Sequence, residues 1–326
     1  MSIGIFLLVC TGLSFIPTGI AIGHVERSGW NLVRYQLFSC AVCAAVAVAG
    51  WVAEPTAVFP GRDCPSMTWV LVIAGTFLCG VFNYLMNMMM GRAMKCGPNA
   101  IVWAMIQSGV VFPFLMGWLA FGVPMGARRL AGIALIVASV FLYAARDQTG
   151  DSNGEAPAEV ARTECSPHHA GLRQWLPAAL LGMFFCGINQ CCANLPSYLE
   201  GGKEFSGTFR TFNIYFGLLL AGLAHIAVRR MRGTRAAAAK TGEWRGIALW
   251  ASATGFLSFL VGRYFTFPGL DRLESLGAGA MGYPVIVAAC IAGFIPYGMF
   301  VLHERIGARQ MAGAVLGISG ILLGCL

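Results

Sequence analysis

Long apolar runs dominate the chain and are interrupted at regular distances by short groups of charged and turn-forming residues. A helix needs about 20 mostly apolar residues to cross the hydrocarbon core of a bilayer. At such lengths a helix satisfies every backbone N–H and C=O group inside lipid. The pattern therefore predicts an all-α membrane protein. The ten predicted transmembrane helices are residues 2–22, 30–53, 67–91, 97–121, 126–145, 174–194, 206–228, 246–266, 275–301 and 306–326.

The sequence repeats itself at half its length. The fifth predicted span opens with GARRLAG at residues 126–132, and the tenth opens with GARQMAG at residues 307–313. Because each half has an odd number of spans, the second half must enter the membrane from the opposite side. We therefore predict two inverted five-helix repeats, at residues 1–145 and 174–326, joined by a polar linker at residues 146–173.

The composition agrees with a chain that is embedded in lipid. Hydrophobic residues make up 57% of the sequence and charged residues 11%, and the mean hydropathy is +0.71. A soluble core of this size would have too little polar surface to cover it. All 14 Asp and Glu residues lie between the predicted spans or at their edges, as expected if each buried carboxylate costs several kcal/mol.

The distribution of basic residues predicts the orientation. Of the 22 Lys and Arg residues, 15 lie beside one set of alternate loops and 7 beside the other. The positive-inside rule places the richer set in the cytoplasm and both termini outside. The net charge of +8 then reflects this bias, and no nucleic-acid partner is predicted because no soluble domain would carry it. We predict a multi-pass protein of a cell membrane, the bacterial inner membrane in particular.

The last two predicted spans carry a family resemblance. Both halves have a Gly/Ala-rich helix entry, at residues 97–104 and 276–282, followed by a proline in mid-helix, Pro113 or Pro296. The second half adds a His-Glu-Arg turn around Glu304 and a final helix with spaced glycines. These features resemble the closing hairpin of the ten-helix, EamA-type branch of the drug/metabolite transporter superfamily. The resemblance implies alternating access around a site between the two halves.

Two further comparisons refine this resemblance. In the family's usual pattern a Glu closes the turn in each half, whereas here Glu304 keeps it and the first half has Gly-Val-Pro at residues 122–124. The polar pattern also resembles the bacterial L-rhamnose–proton symporter family, on stretches such as GVFNYLMNMMMGRAM at residues 80–94 and LPSY at residues 195–198. That second likeness implies a sugar-like substrate.

Polar side chains inside the spans are the candidate ligands for a substrate. Asn83 and Asn87 are four residues apart and so share one helix face. Two alternatives remain open for them: hydrogen bonds between helices, worth about 0.6 kcal/mol each, or the lining of a polar path for substrate. The predicted substrate site consists of Asn83, Asn87, Gln107, Asn189, Arg263 and Tyr264.

Two arginines lie at the same end of neighbouring predicted spans. Arg210 lies near the start of the seventh predicted span, and Arg263 lies near the end of the eighth. Their side chains either extend to the lipid headgroups or form a pair of cationic donors at the mouth of a cavity, suited to carboxylate, phosphate or sugar oxygens.

The absence of carboxylates from the predicted spans decides between functions. A site for cationic drugs and protons, as in the small multidrug branch of the superfamily, would need an embedded Glu. The spans also show no constellation of an activated nucleophile, an acid/base pair or a metal-ligand cluster, so we predict no enzymatic activity, no cofactor and no metal. The sequence favours a secondary transporter of a small polar metabolite, sugar-like by resemblance. The alternative is an exporter of amino acids or other small metabolites.

Coupling to a proton is an open alternative. His225 is the one residue inside the predicted spans whose unperturbed pKa lies near neutrality, and it lies near the cytoplasmic end of its span. We therefore predict that any proton coupling is indirect, through the substrate or through an edge carboxylate such as Glu304. Facilitated diffusion and exchange also remain open, and the sequence predicts no oligomeric state.

Overall fold

The fold is known from a computed structural model, which describes residues 2–53, 64–144, 172–233, 242–304 and 306–325. Within these ranges every regular element is helical, and ten helices are long and apolar enough to cross a membrane. The prediction of an all-α membrane protein with ten spans is confirmed. Residues 146–171 of the predicted linker, which was placed at residues 146–173, lie outside the described residues. Its last two residues belong to the sixth helix.

The spans are numbered 1 to 10 in chain order, and their bounds lie close to the predicted ones, with two larger differences. Span 9 begins at Gly282 and not at residue 275. Span 8 was predicted to end at residue 266, but the helix continues to Glu274. The ten spans are Ser2–Arg27, Leu32–Ala53, Ser66–Cys96, Asn99–Phe121, Ala127–Ala144, Leu172–Tyr198, Gly207–Met231, Glu243–Glu274, Gly282–Phe300 and Ala308–Cys325.

Two spans change their helical geometry partway along their length. Span 4 passes through a 3-10 turn at Ser108–Val110, and span 8 passes through a π-helical turn at Gly262–Thr266. A proline follows each turn: Pro113 cannot donate to the carbonyl of Gly109, nor can Pro268 to that of Tyr264. The missing hydrogen bonds make these the places where the helices depart from regular α geometry.

The two halves pack in one pattern that is shifted by five spans. Span 3 packs on spans 6 and 7, and span 8 correspondingly packs on spans 1 and 2. Span 4 packs on span 6 as span 9 packs on span 1, while spans 2 and 7, 4 and 9, and 5 and 10 contact each other directly. This exchange of partners is the arrangement expected of two related five-helix repeats. The repeat boundaries at residues 1–145 and 174–326 stay a prediction.

The turns that close span 4 and span 9 are built alike. The backbone of Gly122 has φ +65°, and the backbone of His303 has φ +52°. Each is followed by a residue whose N–H donates to a carbonyl six positions earlier: Val123 to Gly117 at 2.9 Å, and Glu304 to Gly298 at 3.0 Å. Val123 therefore occupies the position in the first half that Glu304 occupies in the second.

Spans 5 and 10 form a pair beside the other eight. Their backbones approach closely where Gly132 faces Gly320: a Cβ atom on Gly320 would lie 2.7 Å from the carbonyl oxygen of Gly132. Small residues allow such approach between helices in lipid. This contact explains the spaced glycines of the last span and leaves the interior of the protein to the remaining eight spans.

Candidate functional site

A cavity lies between the two halves of the protein. It encloses about 160 Å³ accessible to the centre of a water molecule. Among the described residues, its lining comes from the first four spans of each half and contains no residue of spans 5 and 10. The site is thus built by both halves, with four spans from each.

The cavity brings together four of the six predicted site residues: Asn83 and Asn87 on span 3, Gln107 on span 4 and Asn189 on span 6. The amide of Asn87 donates to Oδ1 of Asn83 at 2.8 Å, and the thiol of Cys79 donates to Oδ1 of Asn189 at 2.7 Å. The first of these bonds lies within span 3, and the second joins span 3 to span 6. Both alternatives for Asn83 and Asn87 stay open, because the bond between these two residues is not a bond between helices.

A second polar group joins spans 4 and 6 at the cavity wall. The amide of Gln190 donates to Oε1 of Gln107 at 3.4 Å and contacts the sulfur of Cys186 at 3.2 Å. Both glutamines are buried and both line the cavity. Span 4 belongs to the first half and span 6 to the second, so this group connects the halves at the site itself.

Arg263 and Tyr264 lie outside the cavity lining, contrary to the predicted site. The guanidinium of Arg263 stacks 5.0 Å from the ring centroid of Tyr264, and Tyr264 is 51% exposed. Both residues belong to the π-helical turn, whose wider spacing places Gly262 and Thr266 on the cavity side. The intervening residues therefore point away from it.

Arg210 fits neither alternative that the sequence left open. Its side chain is fully buried, and its guanidinium forms an ion pair with Asp271 at 2.9 Å. The same guanidinium donates to the carbonyl of Gly202 at 2.7 Å and packs on the ring of Phe267 at 5.3 Å, while Ser197 donates to Asp271 at 2.8 Å. Arg210 thus fastens the ends of spans 6, 7 and 8 to one another.

Charged groups are placed at the ends of the spans and not around the cavity. No Asp, Glu, Lys, Arg or His occurs among the residues that the structure describes in the lining. At the end of the molecule where span 2 begins, Arg34 pairs with Glu243 at 3.2 Å across the two halves, and Lys95 pairs with Glu26 at 3.2 Å. The described cavity wall therefore combines apolar side chains with uncharged polar ones.

His225 is engaged away from the cavity. Its Nδ1 atom lies 2.6 Å from the hydroxyl oxygen of Tyr84, which joins span 7 to span 3. Neither residue belongs to the lining that the structure describes. The prediction that any proton coupling is indirect is untested and stays a prediction.

Several lining residues were not among the predicted ligands. Gln36 on span 2 is 3% exposed and faces the cavity, next to Tyr35, whose hydroxyl donates to Thr254 at 2.9 Å. Trp103 and Tyr283 add aromatic surface. A signal for Gln36 was present in the sequence, because a polar residue inside a span faces the interior of the bundle.

Glu304 ties the second half of the chain to the first. Its carboxylate accepts hydrogen bonds from the backbone N–H groups of Asn99 at 2.8 Å and Ala100 at 2.9 Å. These are the first residues of span 4, where the N–H groups have no partner within the helix. The carboxylate also favours the positive end of the helix dipole, so Glu304 fixes the start of the span that carries Trp103 and Gln107.

We expect Glu304→Gln to lower the free energy of unfolding by about 1–2 kcal/mol, because an amide accepts at one atom only and carries no charge. Thermal unfolding of the purified protein in detergent measures the loss. Glu200→Gln is the matched control, because the side chain of Glu200 is exposed and the hydrogen bond from Thr68 goes to its backbone carbonyl. Equal melting temperatures for the two variants would show that the helix start does not depend on the carboxylate.

Comparison with known proteins adds a likeness at the level of fold. No family model matches the sequence, and no curated protein matches it. One solved structure, described only as "Crystal structure of protein", aligns with a TM-score of 0.54 and 14% identity, covering 97% of this chain and 94% of that chain. At this identity the likeness shows the fold alone. The chain is a multi-pass α-helical membrane protein.

Proposed function

We propose that the protein is a secondary transporter that moves a small polar metabolite across the membrane by alternating access. The observation that carries the proposal is the cavity, which is lined by the first four spans of each half and by none of the described residues of spans 5 and 10. A site between two related halves can be reached from either side when one half rocks against the other.

Polar contacts between the halves are suited to such a cycle. At the end where span 2 begins, the Arg34–Glu243 ion pair and the Glu304 contact with span 4 both join the first half to the second. At the opposite end, the hydroxyl of Thr68 donates to the carbonyl of Glu200 at 3.0 Å. Opening of either end would break the contacts on that side while those on the other side persist.

The resemblance to the EamA-type branch of the drug/metabolite transporters supports the same proposal. The turns at Val123 and Glu304, which have the same hydrogen-bonding pattern, support it as well. By the weaker resemblance to the L-rhamnose–proton symporter family, a sugar-like substrate is proposed. The excess of basic residues beside one set of loops supports a place in the bacterial inner membrane with both termini outside.

Flux into proteoliposomes tests the function. We expect saturable uptake of at least one small polar solute by the wild type. Asn87→Leu should reduce this uptake about tenfold, since it removes the hydrogen bonds of an amide in the cavity wall. Tyr264→Phe, a change outside the lining, is the control and should leave uptake unchanged. Loss of flux in Tyr264→Phe but not in Asn87→Leu would place the transport path elsewhere, and no saturable flux of any solute would refute the function.

A further inference from the structure

The side chain of Gln36 stands out among the groups that line the cavity. It is 3% exposed, and within the part of the chain that the structure describes neither Nε2 nor Oε1 has a hydrogen-bond partner. Its neighbours differ in this respect, since Tyr35 and Ser39 both contact the hydroxyl of Thr254. A buried amide without partners costs free energy, so side chains of this kind are normally hydrogen-bonded. Gln36 is thus a residue of the cavity lining whose donor and acceptor are both unsatisfied.

Two more unpartnered atoms belong to lining side chains from the other half of the protein. They are Oε1 of Gln190 on span 6 and Oγ1 of Thr211 on span 7, both in buried side chains of the lining. Gln36 belongs to span 2. Side chains with unpartnered hydrogen-bonding groups therefore line one cavity from both halves, which is the arrangement expected of a binding site between repeats.

The electrostatics of the lining select the charge of the ligand. The described lining residues include no ionisable Asp, Glu, Lys, Arg or His, and the nearest arginine of span 7, Arg210, is neutralised by Asp271. An ion that entered would lose hydration without gaining an opposite charge, which is strongly unfavourable in a buried site. An uncharged solute loses far less, and its polar groups can bond to the amides.

The hydrogen-bonding pattern of the lining selects the polar groups of the ligand. The N–H groups of Gln36 require an acceptor, whereas the three unpartnered oxygens of Gln36, Gln190 and Thr211 are satisfied by donors. Hydroxyl and amide groups supply both. Trp103 and Tyr283 offer apolar surface for the carbon skeleton.

We propose that the cavity takes an uncharged polar solute with several donors and acceptors, and that Gln36 is one of its direct ligands. This inference rests on the proposed transport function and narrows it: charged metabolites, including zwitterionic amino acids, are excluded as substrates. It also extends the site to a residue in the second span.

Binding to the purified full-length protein tests the charge selection. The probes are sets of similar size and different charge: glucose with gluconate and glucosamine, xylitol with xylonate, and acetamide with acetate and glycine. Tryptophan fluorescence is a suitable signal because Trp103 lines the cavity. We expect binding by neutral members only, with at least a tenfold preference over the charged member of the same set. Binding of a charged member as tight as that of its neutral counterpart would overturn the proposal, and so would binding by none of the neutral probes.

Substitutions of Gln36 test its role. Gln36→Leu should weaken the binding of the preferred neutral probe about tenfold or more while leaving the melting temperature unchanged or higher, because the leucine removes an unpartnered buried amide. A merely structural glutamine would instead lower the melting temperature. Gln36→Glu should shift preference toward the cationic member of the set. Gln310→Leu, at the start of span 10 and outside the lining, is the control and should bind as the wild type does.

These results distinguish failure of the neutral-ligand proposal from failure of the transport function. Saturable flux of a charged solute, or flux that is insensitive to Gln36→Leu, would refute the neutral-ligand proposal and leave the transport function standing. The absence of any saturable flux would refute the transport function itself.

Discussion

Asp271→Asn is expected to destabilise the protein by about 3 kcal/mol. The substitution leaves the guanidinium of Arg210, which is 0% exposed, without its counter-charge. Removing one partner of a buried ion pair costs about 3–5 kcal/mol, because the remaining charge is desolvated and unpaired. The lower end applies here, since Asp271 is itself 23% exposed and the carbonyl of Gly202 still accepts from Arg210. Thermal unfolding in detergent measures the effect.

Two control variants show whether the lost charge or the altered packing causes the loss of stability in Asp271→Asn. Glu200→Gln makes the same acid-to-amide change at an exposed position and should unfold like the wild type. The double variant Arg210→Met with Asp271→Leu should recover much of the stability that Asp271→Asn loses, because apolar side chains often replace a buried ion pair without net cost. If Asp271→Asn unfolds like the wild type, the pair does not hold spans 7 and 8 together.

Gly80→Ala is expected to lower stability more than the addition of a methyl group at any other interior glycine. A Cβ atom at this position would lie 2.7 Å from the backbone nitrogen of Leu218 and would overlap the carbonyl oxygen of Ile214. Both neighbours are backbone atoms of span 7, so spans 3 and 7 would have to separate. Overpacking of this kind costs about 3 kcal/mol. Cys79 and Ile214 line the cavity beside this contact, so ligand binding should weaken together with the melting temperature.

The matched control for Gly80→Ala is Gly23→Ala, which is also inside a span. There the nearest atoms to the added Cβ, in Arg27 and Asn99, lie at 3.5 Å, an ordinary van der Waals distance. Alanine also favours helix over glycine by about 1 kcal/mol. We expect Gly23→Ala to fold and bind as the wild type does. Equal behaviour of the two variants would mean that the contact between spans 3 and 7 has room for a methyl group.

The number and type of the spans could be predicted from the sequence because the requirement of the bilayer for about 20 apolar residues is strong and local. The end of span 8 could not. Pro268 and the charges after it are typical of a loop, yet proline fits the first turn of a helix segment, and here it follows the π-helical turn. Asp271 therefore became part of a helix, with a partner, Arg210, that is 61 residues away in sequence.

The placement of polar residues around the cavity could be predicted where it depends on one general rule and could not where it depends on helical register, and their role as substrate ligands stays a prediction. Asn83, Asn87, Gln107 and Asn189 face the cavity because polar side chains in a span turn toward the bundle interior. Arg263 and Tyr264 lie outside the lining because they belong to a π-helical turn, which changes the register within the helix, and no local pattern in the sequence reveals such a turn. Gln36 follows the same rule as the asparagines, although it is not among the predicted ligands.

The unequal pair of turns has a consequence for the resting state of the protein. Two halves that exchange shapes would give two states of equal energy if the halves were identical. Here a carboxylate ties one turn to span 4, whereas the corresponding residue of the other turn is Val123. A tether worth about 2 kcal/mol would bias the two populations roughly thirtyfold. Under the proposed cycle, the form closed at the Glu304 end predominates without substrate, and Glu304→Gln moves the protein toward equal occupancy.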